Sequence, residues 1–598
     1  MKFKAIILIY FSISFSAYLQ NIAVNLKQPD NTYINAYASG DEFYIRLHDS
    51  LGYTIIQHPI DGFYYYASLV NEKIAPSLYT VNSIFPDDSL INKNIMITEN
   101  EYKQRRYMFM QNYPVRDAPS YGIINNINIF IRFSDEPEFS TARSVYDQPF
   151  NNPSGSSLLN YYLELSYENL EVNTTHYPLS NMNTNLSYQD ENPRSYYQIY
   201  HSITNPDGYF ECPPWDNTVE NNCSEIDSTL WSSYREQTLL KNAIEFIENE
   251  IPEQLDVDAN DDGYVDNVTF LVYGSPDGWA ELLWPHRSSL RLFDAYINDA
   301  LVDGYNINLS SGGYFNASVL CHEFGHSLGA PDLYRYFNNN MTPMGSWDLM
   351  ASNTTTPQYM SAWMQYRYTN WIDCPFIETG GVYELYPLAS GINNCYQIKS
   401  PHSNTEHFIL EYRTNQGTYD SNIPGNSDGI LIYRVNLDIN SNGIIDTLDY
   451  YGEDDILDGW IVGGNGMGPP DELYVYRPLG TLSNTGVLNN AIYSAEVGRT
   501  EISGETEPSS FLSTGEPGGL HISNIGYPGE TIQFTYHVIC NETVYGDINE
   551  DFVINILDVV QLVNFVLSGN NDSCFDINDD SIVNILDIII TINIILGS

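Results

Sequence analysis

The sequence predicts an α+β domain, a β-rich region with a sandwich-like arrangement, and a small α-helical module that contains calcium-type loops. Its 598 residues leave room for three or four domains with a large core. Helical periodicity surrounds a histidine-containing motif near the middle of the chain, and short β-like runs separated by Gly, Pro and Asn fill residues 377–540. A repeated acidic loop occupies residues 541–598. These patterns predict that the α+β domain comes first along the chain, the β-rich region second and the module with calcium-type loops third.

The N-terminus is typical of a signal peptide, which we assign to residues 1–17. Lys2 and Lys4 precede a short apolar run, and small residues such as Ala17 follow it. The run is short for a bilayer span and contains several serines, and no later segment is long and apolar enough to cross a membrane. The sequence therefore predicts a secreted, extracellular protein, with attachment to a cell surface left open.

The charge of the chain is strongly negative. Lys and Arg total 24 against 76 Asp and Glu, which gives a formal net charge of -52. Nucleic acid is excluded as a partner because no basic patch is available to meet phosphates. Part of the acidic content is explained by calcium-type loops, and the rest indicates a role in solubility.

Residues 322–326 read HEFGH and supply the residue types of a catalytic zinc site. His322 and His326 lie four apart, so on a helix their imidazoles project from one face and can share a metal ion. Glu323 lies one step round the helix, where its carboxylate can act as general base for an attacking water. An apolar repeat predicts how this helix is anchored to the core: Leu320, Phe324 and Leu328.

The motif continues beyond the helix. Gly329 allows the backbone to turn, which would bring Asp332 back as a third ligand. Residues 344–350 read MGSWDLM, and Met350 resembles the methionine that metzincins carry in a tight turn beneath their zinc-binding histidines. Asp348 is a competing carboxylate, but we favour Asp332 because its spacing suits a ligand just past the helix end.

These motifs resemble the M6 group of secreted bacterial metallopeptidases, the immune-inhibitor-A-like proteins. The resemblance rests on HEFGHSLGAPDLY followed by GSWDLM and extends over roughly residues 40–440. Shorter segments contribute to it: GYTIIQ, DGFYYYA, LWPH at 283–286, EHFILEYR and DGILIYRV. The resemblance implies a zincin or metzincin-like catalytic domain with one zinc ion, His322 and His326 as ligands and Glu323 as base. It also implies synthesis as a precursor. In better-known metzincins the third ligand is His, whereas this chain has Asp332.

The predicted organisation follows from this resemblance. Residues 18–115 are interpreted as a propeptide, with Arg116 in a candidate processing zone, and residues 116–376 as the metallopeptidase domain. That domain is predicted to open with an edge or half-buried strand over 127–133. Two helices are predicted within it: 158–167 and 239–250.

Residues 547–558 and 576–587 are copies of one calcium-type loop. Each places oxygen-bearing side chains at positions 1, 3, 5, 9 and 12. The candidate calcium ligands are Asp547, Asn549, Asp551, Asn555, Asp558, Asp576, Asn578, Asp580, Asn584 and Asp587. Helices are predicted after each loop, over 559–567 and 588–596.

The pair of loops resembles a type I dockerin, which implies two calcium ions and a cohesin-type partner on a scaffold or cell surface. Residues 556–557 and 585–586 stand where dockerins often carry polar recognition residues, yet both pairs read Ile-Leu. They form either an apolar docking face or a surface buried against the protein itself.

Two further loops are candidate calcium sites, which would add one or two ions. The first contains Asp258, Asn260, Asp262 and Asp266, and the second lies within 438–449. An Asx-rich turn without metal is the alternative for both.

The seven cysteines fit an oxidising compartment. Local pairs are predicted: Cys212 with Cys223, Cys374 with Cys395, and Cys540 with Cys574. Cys321 remains, and we interpret it as a buried helix cysteine without a catalytic role.

The sequence thus predicts a secreted zinc-dependent endopeptidase that acts on peptide bonds of extracellular proteins. His286 and Tyr334 are candidates for stabilising the oxyanion, with a purely structural role as the favoured alternative for each. The alternative is a calcium-organised, surface-attached binding or adhesion protein with an inert zincin domain, although the intact Glu323 argues against it. No motif identifies the substrate.

Overall fold

The computed structural model describes residues 19–41, 44–81, 91–102, 105, 118–210, 232–275, 285–310, 315–336, 341–438, 463–466, 468–538, 548, 553–568, 575–578 and 582–597. Within this part of the chain no helix has both the length and the apolar composition that a membrane span requires.

The N-terminal part consists of two small antiparallel sheets. Their strands are β1 (Leu19–Lys27), β2 (Tyr33–Gly40), β3 (Ile45–His48), β4 (Ile55–Gln57), β5 (Tyr64–Val70) and β6 (Lys73–Thr80). β1–β3 form one sheet and β4–β6 the other. Leu26 and Ile34 of the first sheet share a hydrophobic cluster with Ile55 and Tyr66 of the second, so the two sheets pack on each other. Ala38 instead belongs to the core of the next sheet along the chain.

A mixed sheet of six described strands forms the framework of the predicted metallopeptidase domain. Its strands are β7 (Gly122–Arg132), β8 (Leu170–Tyr177), β9 (Tyr188–Gln189), β10 (Val268–Val272), β11 (His286–Ser289) and β14 (Gly304–Leu309). The order is β11-β14-β10-β7-β8, with β9 also pairing with β7. All pairs are parallel except β11 with β14, which makes β11 an antiparallel edge strand. A short hairpin, β12 (Tyr296–Ile297) with β13 (Ala300–Leu301), lies between β11 and β14 in the chain.

The strand predicted over 127–133 is interior, and the prediction of an edge or half-buried strand is wrong. It is β7, which pairs in parallel with β10 on one side and β8 on the other. Ile127, Ile129 and Phe130 are fully buried. Helices cover both faces of the sheet, so β7 needs a continuous apolar run rather than an alternating one.

Helices lie on both faces of this sheet. Those in the region are α1 (Arg143–Asn151), α2 (Leu158–Leu165), α3 (Ser232–Ile247), α4 (Ala317–Ser327) and α5 (Ala362–Arg367). Leu240 and Ile244 of α3 pack with Ile129 and Phe270 on one face. α2 and α4 pack together in a second cluster with Val172 of β8. The predicted helices 158–167 and 239–250 correspond to α2 and α3, although α3 begins seven residues earlier than predicted.

The β-rich region forms two antiparallel sheets. Its strands are β15 (Gly381–Leu385), β16 (Cys395–Lys399), β17 (Glu406–Arg413), β18 (Gly429–Asn436), β19 (Leu473–Val475), β20 (Ile522–Ser523) and β21 (Ile532–Tyr536). One sheet has the order β16-β17-β18-β19 and the other β15-β21-β20. Phe408 and Leu410 of β17 pack with Phe534 of the other sheet, while Ile409 packs in the cluster that contains α4. Alternation along β17 thus places the four-stranded sheet between the other sheet and the helix of the histidine motif.

Two helices end the chain: α6 (Ile556–Ser568) and α7 (Ile585–Leu596). Each begins three residues before its predicted start. The cause is capping, because the Asn555 and Asn584 side chains accept N–H groups of the first turn at 2.8 Å. Leu562, Ile577 and Val583 form a small core between the two repeats.

One predicted disulfide is confirmed. Cys374 and Cys395 are bonded, with Cα atoms 5.3 Å apart. The other four paired cysteines lie outside the described residues. Cys321 is a buried free thiol, as expected.

Candidate metal centre

α4 carries the HEFGH motif and is fixed at its start and along one side. The Asn316 side chain accepts hydrogen bonds from the N–H groups of Ser318 and Val319, at 2.9 and 3.1 Å. Leu320 and Phe324 are buried in the main cluster. The predicted apolar anchor of the helix is therefore present.

Three side chains converge beside α4. His322 Nε2 lies 3.1 Å from Asp332 Oδ1, and His326 Nε2 lies 3.5 Å from the same oxygen. All three ligand atoms fall within 4.8 Å of one another. Among the described residues no other set of three His, Cys, Asp or Glu side chains forms such a group.

The outer ring nitrogens of both histidines are held by backbone carbonyls. His322 Nδ1 is 3.2 Å from Leu349 O, and His326 Nδ1 is 2.7 Å from Ala330 O. A carbonyl can only accept, so each Nδ1 carries the hydrogen, and in the neutral ring each Nε2 keeps its lone pair. This is the tautomer that a metal ion requires at Nε2.

The donor set fits a zinc ion. Neither His322 Nε2 nor Asp332 Oδ1 has a hydrogen-bond partner among the described residues, although both are buried. Buried polar atoms without partners are costly, and a cation between them would remove that cost. Two imidazole nitrogens and one carboxylate oxygen leave a fourth position open, as catalytic zinc sites do.

The loop after α4 brings Asp332 back to the histidines. Gly329 has φ of +88°, a left-handed conformation that glycine adopts without strain. The N–H of Leu333 donates to Met350 O at 2.8 Å, and the N–H of Asn465 donates to Asp332 O at 2.8 Å. The backbone of Asp332 is therefore held from two distant segments.

Met350 lies directly beneath α4. A Cβ on Gly325 would come within 2.9 Å of Met350 Sδ, so glycine at this position of the helix permits the close approach. Asp348, the competing third ligand, points elsewhere. Its carboxylate accepts the N–H groups of Met350 at 2.8 Å and Ser361 at 2.6 Å.

Glu323 is buried beside the two histidines, and its Oε1 has no hydrogen-bond partner among the described residues. Burial raises the pKa of Glu323, and the neighbouring imidazoles oppose the shift. Burial acts to raise the pKa of Asp332, but the imidazoles of His326 and His322 outweigh it and the pKa is lowered. Burial acts to lower the pKa of His322, yet the Asp332 carboxylate raises it overall.

The two oxyanion candidates lie in different surroundings. His286 is on the edge strand β11, with Nε2 3.5 Å from Glu236 Oε1. Its imidazole is near enough to act to lower the pKa of Glu323, against the larger effect of burial. Tyr334 is buried, and its ring packs edge-on against Tyr336 at 5.3 Å.

Several residues that support the site carry no signal in the sequence. The Tyr336 hydroxyl donates to Asp332 Oδ2 at 2.6 Å. Asn465 donates from Nδ2 to Leu333 O at 2.9 Å, and Glu472 accepts from Trp363 Nε1 at 2.6 Å in the adjacent core. Asn465 and Glu472 are far from the motif in the sequence, and only the folded chain brings them together.

The first candidate calcium loop is ordered by its own side chains. Asp258 Oδ1 and Asn260 Oδ1 accept the N–H of Asp262 at 2.9 and 3.3 Å, and Asp266 Oδ2 accepts the N–H of Ala259 at 3.0 Å. Such bonds are typical of an Asx-rich turn. Asp266 differs, because it is only 1 % exposed and its Oδ1 has no hydrogen-bond partner among the described residues. Of the second loop, the structure describes only Asp438.

The last candidate ligand of each C-terminal loop closes the loop in the same way. Asp558 accepts the N–H groups of Ile548 and Asn555, both at 2.7 Å. Asp587 accepts those of Ile577 at 2.8 Å and Asn584 at 2.7 Å. Asp576 and Asn578 lie in the described turn before α7. Four candidate ligands lie outside the described residues: Asp547, Asn549, Asp551 and Asp580.

Comparison with known proteins gives one match to a family. Residues 287–367 match the catalytic domain of immune inhibitor A peptidase M6. The match supports metallopeptidase activity for this chain. It spans α4, Asp332 and Met350, and therefore the whole candidate metal centre. No curated protein matches the chain.

Two solved structures are similar to the chain at a low level. OgpA from Akkermansia muciniphila is 10% identical, with 51% of this chain and 75% of that chain covered and a TM-score of 0.23. Metalloproteinase-II from Bacteroides fragilis is 14% identical, with 58% and 85% covered and a TM-score of 0.20. Similarities of this size do not establish a shared fold.

Proposed function

We propose that this protein is a secreted zinc-dependent endopeptidase that hydrolyses peptide bonds in extracellular proteins. The observation that carries the proposal is the convergence of His322, His326 and Asp332 on one buried point, beside Glu323. The match of this segment to a peptidase catalytic domain supports it. Proteins of the matched kind are typically secreted, which agrees with the predicted signal peptide.

Each residue of the centre has a role in this proposal. His322, His326 and Asp332 would hold one zinc ion, which when bound polarises the scissile carbonyl and acidifies a water molecule. Glu323 takes the proton of the attacking water and passes it to the leaving amine, and its raised pKa makes it a stronger base for this purpose. Met350 supports α4 from below. His286 or Tyr334 would stabilise the oxyanion.

Removal of zinc tests the proposal directly. We expect the processed protein to hydrolyse unfolded casein in excess calcium, to lose this activity when a zinc-selective chelator is added, and to regain it with one equivalent of zinc per chain. Calcium stays in excess throughout so that calcium loss cannot explain the result. Hydrolysis that persists after zinc has been removed would contradict the proposal.

We further propose that the loop of Asp258, Asn260, Asp262 and Asp266 binds calcium. Support comes from the buried, partnerless Oδ1 of Asp266, because a cation would compensate a buried carboxylate that the loop does not satisfy.

This calcium site predicts a specific pH dependence of stability. Burial raises the pKa of Asp266 to about 7 from the ordinary 3.8. Without calcium, the unfolded chain loses this proton near pH 4 while the folded chain keeps it, so this carboxyl makes folding less favourable as pH rises from about 4 to about 7. Above about pH 7 calcium should restore the stability that is lost, because calcium binds the ionised carboxylate of Asp266.

The measurement compares thermal unfolding at about pH 5 and about pH 8, on either side of the raised pKa, with calcium and with chelator. Asp266→Asn should remove both this contribution to the pH dependence and this loop's share of the calcium response. Asp261→Asn is the matched control, since Asp261 lies in the same loop with φ of +57°, which Asn tolerates. Equal calcium responses in the parent and Asp266→Asn would exclude calcium at this loop.

For the C-terminal module we propose calcium binding by both loops and docking to a cohesin-type partner, with the calcium-organised binding protein as the second candidate function. The supporting observation is the exposure of equivalent apolar residues in the two repeats. Ile556 and Ile585 are 65% and 64% exposed, and Leu557 and Leu586 are 57% and 49% exposed. A surface buried against the rest of the chain would not remain this accessible.

Titration calorimetry of the full-length Glu323→Ala protein with a type I cohesin tests this docking. We expect the binding to require calcium. We also expect the affinity to fall when Leu557 and Leu586 are both replaced by lysine, because a lysine charge at the centre of an apolar contact has no compensating partner. Leu479→Lys is the control, since Leu479 is similarly exposed but lies in the β-rich region. Absence of calcium-dependent binding would contradict cohesin docking.

A further inference from the structure

The two oxygens of Asp332 have separate surroundings. Oδ1 faces the imidazoles, 3.1 Å from His322 Nε2 and 3.5 Å from His326 Nε2. Oδ2 accepts a hydrogen bond of 2.6 Å from the Tyr336 hydroxyl. Asp332 and Tyr336 are both buried. The carboxylate is therefore held with one oxygen toward the metal position and the other toward the tyrosine.

Tyr336 is itself fixed by a segment far away in the chain. Its N–H donates to Gly466 O at 3.0 Å, and the adjacent Asn465 N–H donates to Asp332 O at 2.8 Å. A Cβ on Gly466 would overlap Tyr336 Cε2, so only glycine leaves room for the ring there. The segment 463–466 thus holds the tyrosine and the candidate ligand in one arrangement.

The N-terminal part of the chain also reaches this tyrosine. The rings of Tyr102 and Tyr336 lie 6.1 Å apart between centroids, and Tyr102 is 2% exposed. The Tyr102 hydroxyl donates to Asp41 Oδ2 at 2.6 Å. The ring of Tyr336 is therefore enclosed on the side that faces the N-terminal sheets.

We propose that Tyr336 is a positioning residue of the metal centre, which holds Asp332 so that it binds zinc through Oδ1 alone. This inference rests on the proposed function, because it assumes that zinc occupies the His322, His326 and Asp332 site. The hydrogen bond from Tyr336 draws Oδ2 toward the tyrosine and leaves Oδ1 facing the imidazoles, so it orients the carboxylate to bind through Oδ1. Tyr336 is buried, and it acts on the metal centre through its hydrogen bond to Asp332.

The test is the zinc affinity of the full-length Glu323→Ala protein, measured by competition with a chromophoric chelator. Loss of one outer hydrogen bond to a ligand typically costs about 10–100-fold in metal affinity, and we expect a loss of this size for Tyr336→Phe. Tyr359→Phe is the matched control, because the Tyr359 hydroxyl also donates to a carboxylate, Glu164 Oε1 at 2.9 Å. Tyr359 is buried in the core cluster that contains Leu320 and Phe324 of α4, and its hydroxyl bonds to Glu164 rather than to a ligand.

A double-variant cycle separates positioning from a general effect on folding. In an Asp332→Ala background, Tyr336→Phe should leave the residual zinc affinity unchanged, because the group that it positions is absent. The absorption spectrum of the cobalt-loaded protein gives a second readout, which should change for Tyr336→Phe and stay the same for Tyr359→Phe. If Tyr336→Phe does not fold, Gly466→Ala displaces the ring from outside and should weaken zinc binding similarly.

The outcomes distinguish this inference from the proposed function. Zinc binding that depends on His322 and His326 but is equally tight in the parent and Tyr336→Phe overturns the positioning role alone. An equal loss with and without Asp332 also overturns it. A parent protein that binds no zinc through the two histidines overturns the proposed function, and this inference with it.

Discussion

Glu323→Gln is expected to lower the hydrolysis of unfolded casein by about 10²–10⁴-fold, the usual contribution of a general base, while zinc stays bound. Glutamine has the same size and keeps the packing around α4, but its amide cannot accept the proton of the attacking water. The two histidines and Asp332 are untouched, so zinc content measured after gel filtration should equal that of the parent. Loss of activity with full zinc content identifies a catalytic role.

The control for this variant is Glu164→Gln, because Glu164 is a partly buried carboxylate of α2 that accepts a hydrogen bond from Tyr359. It should lower stability without a comparable loss of activity.

Mass spectrometry of the secreted proteins adds a second result. Processing that fails together with activity in Glu323→Gln indicates self-maturation, whereas processing that persists indicates another protease. Full activity in Glu323→Gln would remove the proposed mechanism.

The histidine motif was predictable because its chemistry is local. Two histidines four apart on a helix share a face in any helix, and a glycine followed by an aspartate three residues later needs only one tight turn. The apolar repeat of Leu320, Phe324 and Leu328 fixes which side of α4 enters the core. Backbone periodicity alone therefore determines most of the ligand geometry.

The residues around the ligands were not predictable because they depend on contacts between distant segments. Asn465 meets Asp332 only because β19 lies beside β18, and β17 and β18 pack against the cluster that contains α4. Sequence periodicity shows that β17 is buried on both faces, but not which partner covers each face. For the same reason an apolar run could not distinguish the interior strand β7 from an edge strand.

The C-terminal module illustrates a different limit. The apolar runs after the two loops predicted both helices, but each helix begins three residues before its predicted start because Asn555 and Asn584 cap it. The Ile-Leu pairs remained ambiguous, since an apolar residue in the first turn of a helix is equally suited to a core or to a binding face. In the folded chain Ile556 is 65% exposed, so it does not belong to the described core.

Asp332→Ala is expected to bind zinc much more weakly and to lose the activity, whereas Asp348→Asn should keep zinc but lose stability. Asp332 Oδ1 is one of the three converging ligand atoms, and its removal leaves two imidazoles, one ligand fewer than the three that a catalytic zinc site requires. Asp348 instead accepts two backbone N–H groups with its two oxygens. In the Asp348→Asn variant one of these donors would face an amide NH₂, and a buried unsatisfied donor costs about 1–3 kcal/mol.

Zinc content by mass spectrometry and thermal unfolding of both variants separate the two roles. The expected pattern is low zinc for Asp332→Ala and one zinc per chain for Asp348→Asn. Both metal-free melting temperatures should fall, because Asp332→Ala leaves the buried Tyr336 hydroxyl without its acceptor and Asp348→Asn leaves a backbone donor unsatisfied, so zinc content is the result that decides. The opposite pattern would reassign the third ligand to Asp348, which would require the segment 348–350 to rearrange. Its two backbone hydrogen bonds would then have to break to free the carboxylate. That cost makes Asp332, whose Oδ1 has no hydrogen bond to lose among the described residues, the better ligand.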